Sequence, residues 1–377
     1  MRPVITRPPL FLNLQFCSAR QPLTCVSLTV YKTILIEETK IKHKFSTGER
    51  LYMTFFRRTV LIGASLLSFG GAAHAQAADS YPDRPIKIVV PYSPGGFTDI
   101  LARQMSQQLS EKLKQPVVVE NKPGAGTIIG AEAVARAKPD GYTLLMAVTT
   151  TLSSNPHLFS KLPYKIADFK PVALTGLTPF VLVANPSVPA NNVRELIELA
   201  KKEPGKLSAA TLGNGSSTHL VLAMLRGATG ADILDVPYKG ASPALSDLVA
   251  GHVDLFFDAI TTSLPHIQAG RLKPIAMTSE KRSDAAPSIP TFREEGTPQM
   301  LAYSWYGLLA PAGTPDAITE KLNKVINEAL ASPEIEAKFR SEGAESRPMS
   351  AKAFGELIEE HSQIWGKVIK SLNIRLD

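Results

Sequence analysis

The chain has 377 residues, of which 44% are apolar and 20% charged, and a formal net charge of +7. That is enough apolar material for a large core and for two domains. The positive excess is confined to the first 78 residues, which hold ten Lys and Arg against three acids, while residues 79–377 hold 31 of each sign; a polyanionic partner such as nucleic acid is therefore excluded.

Both cysteines, Cys17 and Cys25, also fall in that leading stretch. The body carries no disulfide, no thiol nucleophile and no thiolate metal site. Residues 1–52 show neither a helical nor a strand period. Residues 53–75 have the layout of a secretory signal peptide. Arg57 and Arg58 form its basic end, Val60 to Leu67 its apolar core, and Ala73-His74-Ala75 a small-x-small cleavage site. The apolar stretch is broken by Gly70 and Gly71 and is too short to favour a membrane span. Translation is accordingly expected at Met53, with 1–52 a non-native extension and the product exported to the periplasm. The arginine pair leaves Sec and twin-arginine export both open.

From Tyr81 onward, strand-like and helix-like runs alternate. Strands are predicted at 86–90, 117–121, 143–148, 180–185, 207–213, 232–238, 253–260, 273–279 and 306–311. Helices are predicted at 99–114, 128–137, 193–202, 218–227 and 243–250, and two or three more follow residue 315. Short apolar strands alternating with helices indicate α/β domains with mainly parallel sheets. In the last helix, Leu357, Ile358, His361, Ile364, Trp365, Val368 and Ile369 share one stripe, which reads as core packing. Proline-rich junctions at 185–192, 286–299 and 310–315 mark boundaries. They place a compact lobe 2 (186–301) inside a discontinuous lobe 1 (79–185 plus 302–377), with a ligand cleft between the lobes.

Three polar turns follow strands. Gly95 and Gly96 let the chain turn close to a ligand, and Thr98 or Asp99 can cap the helix that follows. Thr149, Thr150 and Thr151 lie just past the carboxyl end of a parallel strand, where open α/β sheets bind ligands. Gly213 and Gly215 free a third turn, and Ser216, Ser217 and Thr218 offer hydroxyls beside free helix N–H groups. Each stretch reads equally as a carboxylate seat or as an ordinary capped helix or polar loop. No Arg or Lys occurs within 93–99, 148–155 or 213–219. An anion held there must be met by amides, hydroxyls and helix dipoles. Charged hydrogen bonds contribute roughly 1.5–3 kcal/mol each. Two seats with two or three such bonds reach the roughly 8 kcal/mol of micromolar binding, which fits a small mono- or dicarboxylate.

Catalytic readings fit less well. A nucleophile elbow needs glycine two residues after its serine, and Thr218 and His219 stand there instead. Residues 123–132 hint at a dinucleotide loop, but the third glycine, Gly130, falls one place late. His157, His219, His252, His266 and His361 have no metal-ligand spacing. Asp258 is read as shaping the cleft, by capping or by orienting water. The expectation is a binding protein with no catalytic residues, no metal and no cofactor.

Several long stretches resemble the tripartite tricarboxylate transporter substrate-binding proteins, the Bug-type periplasmic receptors. They include "YPDRPIKIVVPYSPGGFTDILAR", "VVVENKPGAGTIIGAEAVARAKPDGYTLL", "LSAATLGNGSSTHL", "DVPYKGASPALSDLVAGHVDLFFD" and "YGLLAPAGTP". The likeness covers about 79–377. It implies a two-lobed periplasmic-binding-protein fold of type II, with two crossover connections. It also implies capture of a small carboxylate and its delivery to membrane transporter subunits by cleft closure, and the receptor is expected to be a monomer. The family's ligand positions map to Gly95, Gly96, Thr98 and Asp99, and to Ser216, Ser217 and Thr218. Tyr92 and Ser93 stand where Pro or Phe is common. Phe97 replaces an often small residue, and its bulk is expected either to narrow the cleft or to add an apolar wall, both of which disfavour a tricarboxylate. A receptor that senses its ligand for a signalling partner, and a hydrolase on the same scaffold, remain as other readings.

Intact-mass measurement of the periplasmic form is expected to give a chain that begins near Gln76. A secreted product that still contains Cys17 or Cys25 would contradict this processing.

Overall fold

The computed structural model describes residues 81–376. The expected extension and signal peptide lie outside the described residues. The chain folds as two halves that share one strand. In the first half, β1 (Ile86–Val90), β2 (Val117–Asn121) and β3 (Thr143–Val148) are mutually parallel, in the order β2-β1-β3. Their connections are α1 (Phe97–Leu113) and α2 (Ile128–Ala135). β1 is rich in β-branched residues that suit a pleated sheet. Ile86, Ile88, Val89 and Val90 are buried, and the outward Lys87 pairs with Glu120 of β2 at 2.7 Å. On α1, Leu101, Ala102, Met105 and Leu109 recur at helical spacing and are buried against the sheet.

β4 (Phe169–Ala184) then runs through both halves. From Phe169 to Pro179 it pairs antiparallel with β9 (Tyr303–Pro311), which in turn pairs with β3. From Phe180 to Ala184 its partners become β7 (Leu255–Ala259) and β8 (Lys273–Met277). Beyond β7 lie β5 (Ser208–Thr211) and β6 (Leu234–Pro237), in the order β7-β5-β6. The helices of this half are α4 (Val193–Lys202), α5 (Ser217–Thr229), α6 (Ala241–Ala250) and α7 (Ile260–Gln268). A short α3 (Asn155–Leu158) follows β3 in the first half of the chain. This is the two-lobed, two-crossover arrangement expected from the resemblance. Thr278 ties the crossings together: its hydroxyl accepts the Phe180 N–H at 2.9 Å and donates to the Ala302 carbonyl at 2.7 Å.

The chain ends in α8 (Asp316–Leu330), α9 (Pro333–Glu342) and α10 (Ala351–Ser371). α10 spans both halves. Phe354 and Ile358 join the first-half core with Trp305 and Leu309, and Phe354 meets Trp305 edge to face at 5.5 Å. Trp365 and Ile369 join the second-half core with Phe180, Leu220 and Leu222. The Leu376 N–H then bonds the Leu158 carbonyl at 3.0 Å.

Two sequence expectations change. The strand predicted at 180–185 begins instead at Phe169. Pro171, Gly176 and Pro179 disguise its first part, because proline and glycine read as strand breakers. The pairing with β9 absorbs Pro171 and Gly176 through register slips between Pro171 and Ala173 and between Leu174 and Gly176, whereas Pro179 stands at the end of that pairing, in register with Tyr303. The α10 stripe holds except at Ile364, which is 49% exposed: Phe354, Ile358, Trp365 and Ile369 are buried in the two cores, and Leu357 and Val368 pack against them partly buried.

Gly307 of β9 faces Phe354 so closely that a Cβ would stand 2.2 Å from the ring and 2.8 Å from the Ala173 carbonyl oxygen. Gly307→Ala is expected to cost about 1–3 kcal/mol or more, read as a lower denaturant midpoint. An unchanged midpoint would mean that α10 yields there freely.

Candidate functional site

The first glycine turn is built around Asp99. Gly95 has φ +88, a region open to glycine. α1 begins at Phe97, with Gly96 as an extended N-cap and no side-chain cap. Thr98 and Asp99 therefore lie inside the first turn rather than at the cap. Asp99, 3% exposed, reaches back instead. Its Oδ2 accepts the Gly95 N–H at 3.0 Å and Arg103 Nε at 2.9 Å. Its Oδ1 accepts Arg103 Nη2 at 3.1 Å and Asn121 Nδ2 at 2.9 Å. Burial pushes the carboxyl up, but the bonds from Arg103, Gly95 and Asn121 outweigh it and hold Asp99 below the usual carboxylate range. Asp99 thus stays ionised with its charge met by Arg103. The N–H groups of Gly96, Phe97 and Thr98 have no intrahelical partner.

Opposite this turn stands the start of α6, from the other half. Its N-cap is Gly240, again without a side-chain cap. A Cβ on Gly96 would lie 3.3 Å from Ala241 Cβ, and one on Gly95 would lie 3.4 Å from Ser242. The Ser93 N–H donates to the Lys239 carbonyl at 3.1 Å. Two uncapped helix starts thus meet across the halves, and both present their positive ends. The stretch 239–242 carried no expected binding role.

The other predicted residues lie deeper. Past β3 the chain forms one π-helical turn, Thr150–Ser154, rather than a plain loop. Thr149 Oγ1 accepts the Trp305 N–H at 2.9 Å and fixes the turn to β9. Thr150 Oγ1 accepts the Ser217 N–H at 3.0 Å and lies 3.1 Å from Ser217 Oγ, joining the two halves. Thr151 Oγ1 donates to Thr127 Oγ1 at 3.2 Å. Ser216 is the N-cap of α5, where its Oγ accepts the His219 N–H at 3.2 Å. Thr218 Oγ1 accepts the Leu212 N–H at 2.9 Å. Ser216 and Thr218 therefore spend their hydroxyls locally, whereas Thr150 and Ser217 form a cross-cleft pair. His219 Nδ1 accepts the Gly215 N–H at 3.3 Å, so no described bond links the imidazole to either serine. Phe97 is 4% exposed and packs edge to face on Tyr306 at 4.9 Å.

A pocket of about 370 Å³ opens between the halves beside these residues. One wall is Tyr92 with Gly124–Ile128, and the other is Leu212–Asn214 with Pro237–Lys239. Burial pushes the Tyr92 phenol up to about 12, against the opposing bond to Thr150, so it is a neutral group there. Residues 124–128 are the stretch weighed in the sequence as a dinucleotide loop. Gly126 has φ +56 because it passes the Asn214 carbonyl, 2.8 Å from where a Cβ would stand. Ala125 and Thr127 also adopt positive φ, at +46 and +79. Non-glycine residues seldom do so, and such backbone clusters at functional sites. Spacing alone missed Tyr92, Gly126 and Lys239. The signal in the sequence was the paired glycines at 124 and 126.

Asp258 ends β7 below the cleft and is 2% exposed. Its Oδ2 accepts Thr262 Oγ1 at 2.6 Å and Ser263 Oγ at 2.7 Å, which ties it to the first turn of α7 through side chains, while the N-cap of that helix, Ala259, has no side-chain cap. Burial raises its pKa to about 6, with the two hydroxyls working against that rise. Burial likewise pushes the neighbouring Tyr306 phenol up, and the Asp258 charge adds to the effect. No group of three or more His, Cys, Asp or Glu placed to hold a metal occurs among the described residues. None of the described helices is long and apolar enough to cross a membrane.

A family model described as the tripartite tricarboxylate transporter family receptor matches residues 101–374. BugT of Bordetella pertussis is 37% identical over 329 residues, covering 86% of this chain and 100% of BugT. MatC from Rhodopseudomonas palustris, solved with bound malate, is 33% identical with a TM-score of 0.74, covering 77% of this chain and 100% of that one. An R. palustris protein solved with adipate is 34% identical with a TM-score of 0.76, covering 78% of this chain and 99% of that one.

The buried Asp258 carboxyl gives a pH signature. Its pKa of about 6 in the fold lies above its ordinary 3.8, so the fold holds the proton more tightly than the unfolded chain does. The penalty is absent below pH 4, grows between pH 4 and 6, and is complete above pH 6. About two pKa units correspond to about 3 kcal/mol. The stability of Asp258→Asn relative to wild type is therefore expected to rise by up to that amount from pH 4 to pH 7, in denaturant titrations at each pH. A difference that does not change with pH would remove this carboxyl as the titrating group.

Proposed function

The chain belongs to the tripartite tricarboxylate transporter receptor family, and from that premise we propose that it captures a small organic acid in the periplasm and delivers it to the membrane subunits of a tripartite transporter. The observation that carries the reading is the meeting of two uncapped helix starts, α1 at Gly96 and α6 at Gly240, across the cleft. Free N–H groups and two helix dipoles converge there on an anion. The nearest fixed carboxylate, Asp99, is neutralised by Arg103, so it does not repel the guest. Thr150, Ser217 and the neutral Tyr92 phenol add hydroxyls beside the same cleft. A mono- or dicarboxylate suits these partners, and malate and adipate in the two R. palustris proteins support that class.

Delivery follows from the hinge. We assign lobe 1 to 79–185 plus 302–377 and lobe 2 to 186–301. β4 and the entry to β9 are the crossings about which the lobes close. Closure brings Gly96 against Ala241, Gly126 against Asn214 and Thr150 against Ser217. The guest is held by groups that no single lobe presents together, and opening releases it unchanged.

Calorimetry and thermal unfolding of the mature protein against a panel of small mono- and dicarboxylates test this. An acid at 100 times its Kd should stabilise the fold by about 2.7 kcal/mol. Gly96→Val and Gly126→Ala should each weaken binding at least tenfold while the fold persists, because each puts a side chain into the closing contact. If no acid of the panel binds, or if both variants bind as wild type does, the reading fails.

A further inference from the structure

We propose that Lys239 reads a second negative charge on the bound acid and so makes this receptor prefer dicarboxylates to monocarboxylates; the inference rests on the carboxylate reading above. Lys239 is the one charged side chain among the residues that line the 370 Å³ pocket between the halves. The rest of that lining is glycine backbone, hydroxyls, aromatic rings, apolar groups and the uncharged carboxamide of Asn214. Its ammonium takes part in none of the ion pairs or side-chain hydrogen bonds of the described residues. The nearby Asp247 is engaged elsewhere, accepting Tyr238 Oη at 2.7 Å and lying 3.3 Å from His252 Nδ1. A cation on a cleft wall, free of any counter-charge, is a ready partner for an anion.

The main chain explains why this lysine acts only when the lobes meet. The Lys239 carbonyl accepts both the Ser93 N–H at 3.1 Å and Ser93 Oγ at 3.2 Å. Gly240 presses on Ser93, where a Cβ would stand 2.9 Å from Ser93 Cβ. Lys239 is thereby pinned beside the first glycine turn, which belongs to the other lobe. One carboxylate at the helix starts of α1 and α6 leaves the remainder of the guest in the pocket, with Lys239 at its edge. A monoacid offers that ammonium nothing, whereas a diacid offers a charge. The locking contact uses the backbone of residue 239, so changing its side chain leaves the closure contact in place.

The test uses acids matched in chain length: adipate with hexanoate, and succinate with butyrate. Calorimetry on the mature wild type, Lys239→Met and Lys239→Arg gives a diacid-to-monoacid affinity ratio for each protein. The wild type is expected to favour the diacid of at least one pair by tenfold or more, a difference of about 1.4 kcal/mol. Lys239→Met should lose most of that ratio through weaker diacid binding, and Lys239→Arg should keep it. Raising salt from 0.05 to 0.5 M should erode the wild-type ratio and leave the Met variant unmoved. Acid binding with an unchanged ratio in Lys239→Met, or with no wild-type preference, overturns the role of Lys239 while the carboxylate reading stands. A wild type that binds none of the four acids overturns both.

Discussion

β4 has to satisfy the backbone of two sheets in one unbroken run. Its antiparallel partners change from β9 to β7 and β8 at the step from Pro179 to Phe180, and nearly all of its length is buried. Buried backbone without partners is costly, so neither half can end its sheet independently of the other. The carboxyl ends of β1, β3, β5 and β6 then carry their turns at 91–96, 149–155, 212–216 and 238–240 to one crevice. Open α/β sheets place ligands in such a crevice. α10 adds a third crossing, with its first half in one core and its second half in the other.

The cleft gains positive potential mostly without basic side chains. Asp99 consumes the Gly95 N–H and the Arg103 guanidinium, while the Gly96–Thr98 amides keep no intrahelical partner. Glycine caps at Gly96 and Gly240 contribute no competing oxygen. A serine cap in either place would satisfy amides that these two glycine caps leave open. α5 shows that alternative. Ser216 caps it and uses up one donor, so the contribution of that helix start passes to Ser217 and its partner Thr150.

The same local patterns carried unequal information. The turn at Gly95–Gly96 was legible because glycine at positive φ and an amphipathic helix start both leave marks in sequence. The hydroxyls at 149–151 and 216–218 were legible as a set, but their division of labour was not. Whether a threonine faces a guest, a cap or β9 depends on partners some 70 to 160 residues away, such as Ser217 for Thr150 and Trp305 for Thr149. The absence of Lys and Arg near the three turns was a correct count. It said nothing of Lys239, which arrives from a fourth.

By itself, the sequence determined the α/β class, the receptor family and the glycine turns, because these rest on periodicity and on local backbone chemistry. Tertiary structure alone decided which turns meet. The strand through Pro171 and Gly176 was hidden because its breakers are tolerated only where the pairing with β9 slips register to receive them. The opposition of Gly96 to Ala241, of Gly126 to Asn214 and of Ser93 to Lys239 depends on how β4 joins the two sheets. That relation is long-range, and no window of sequence contains it.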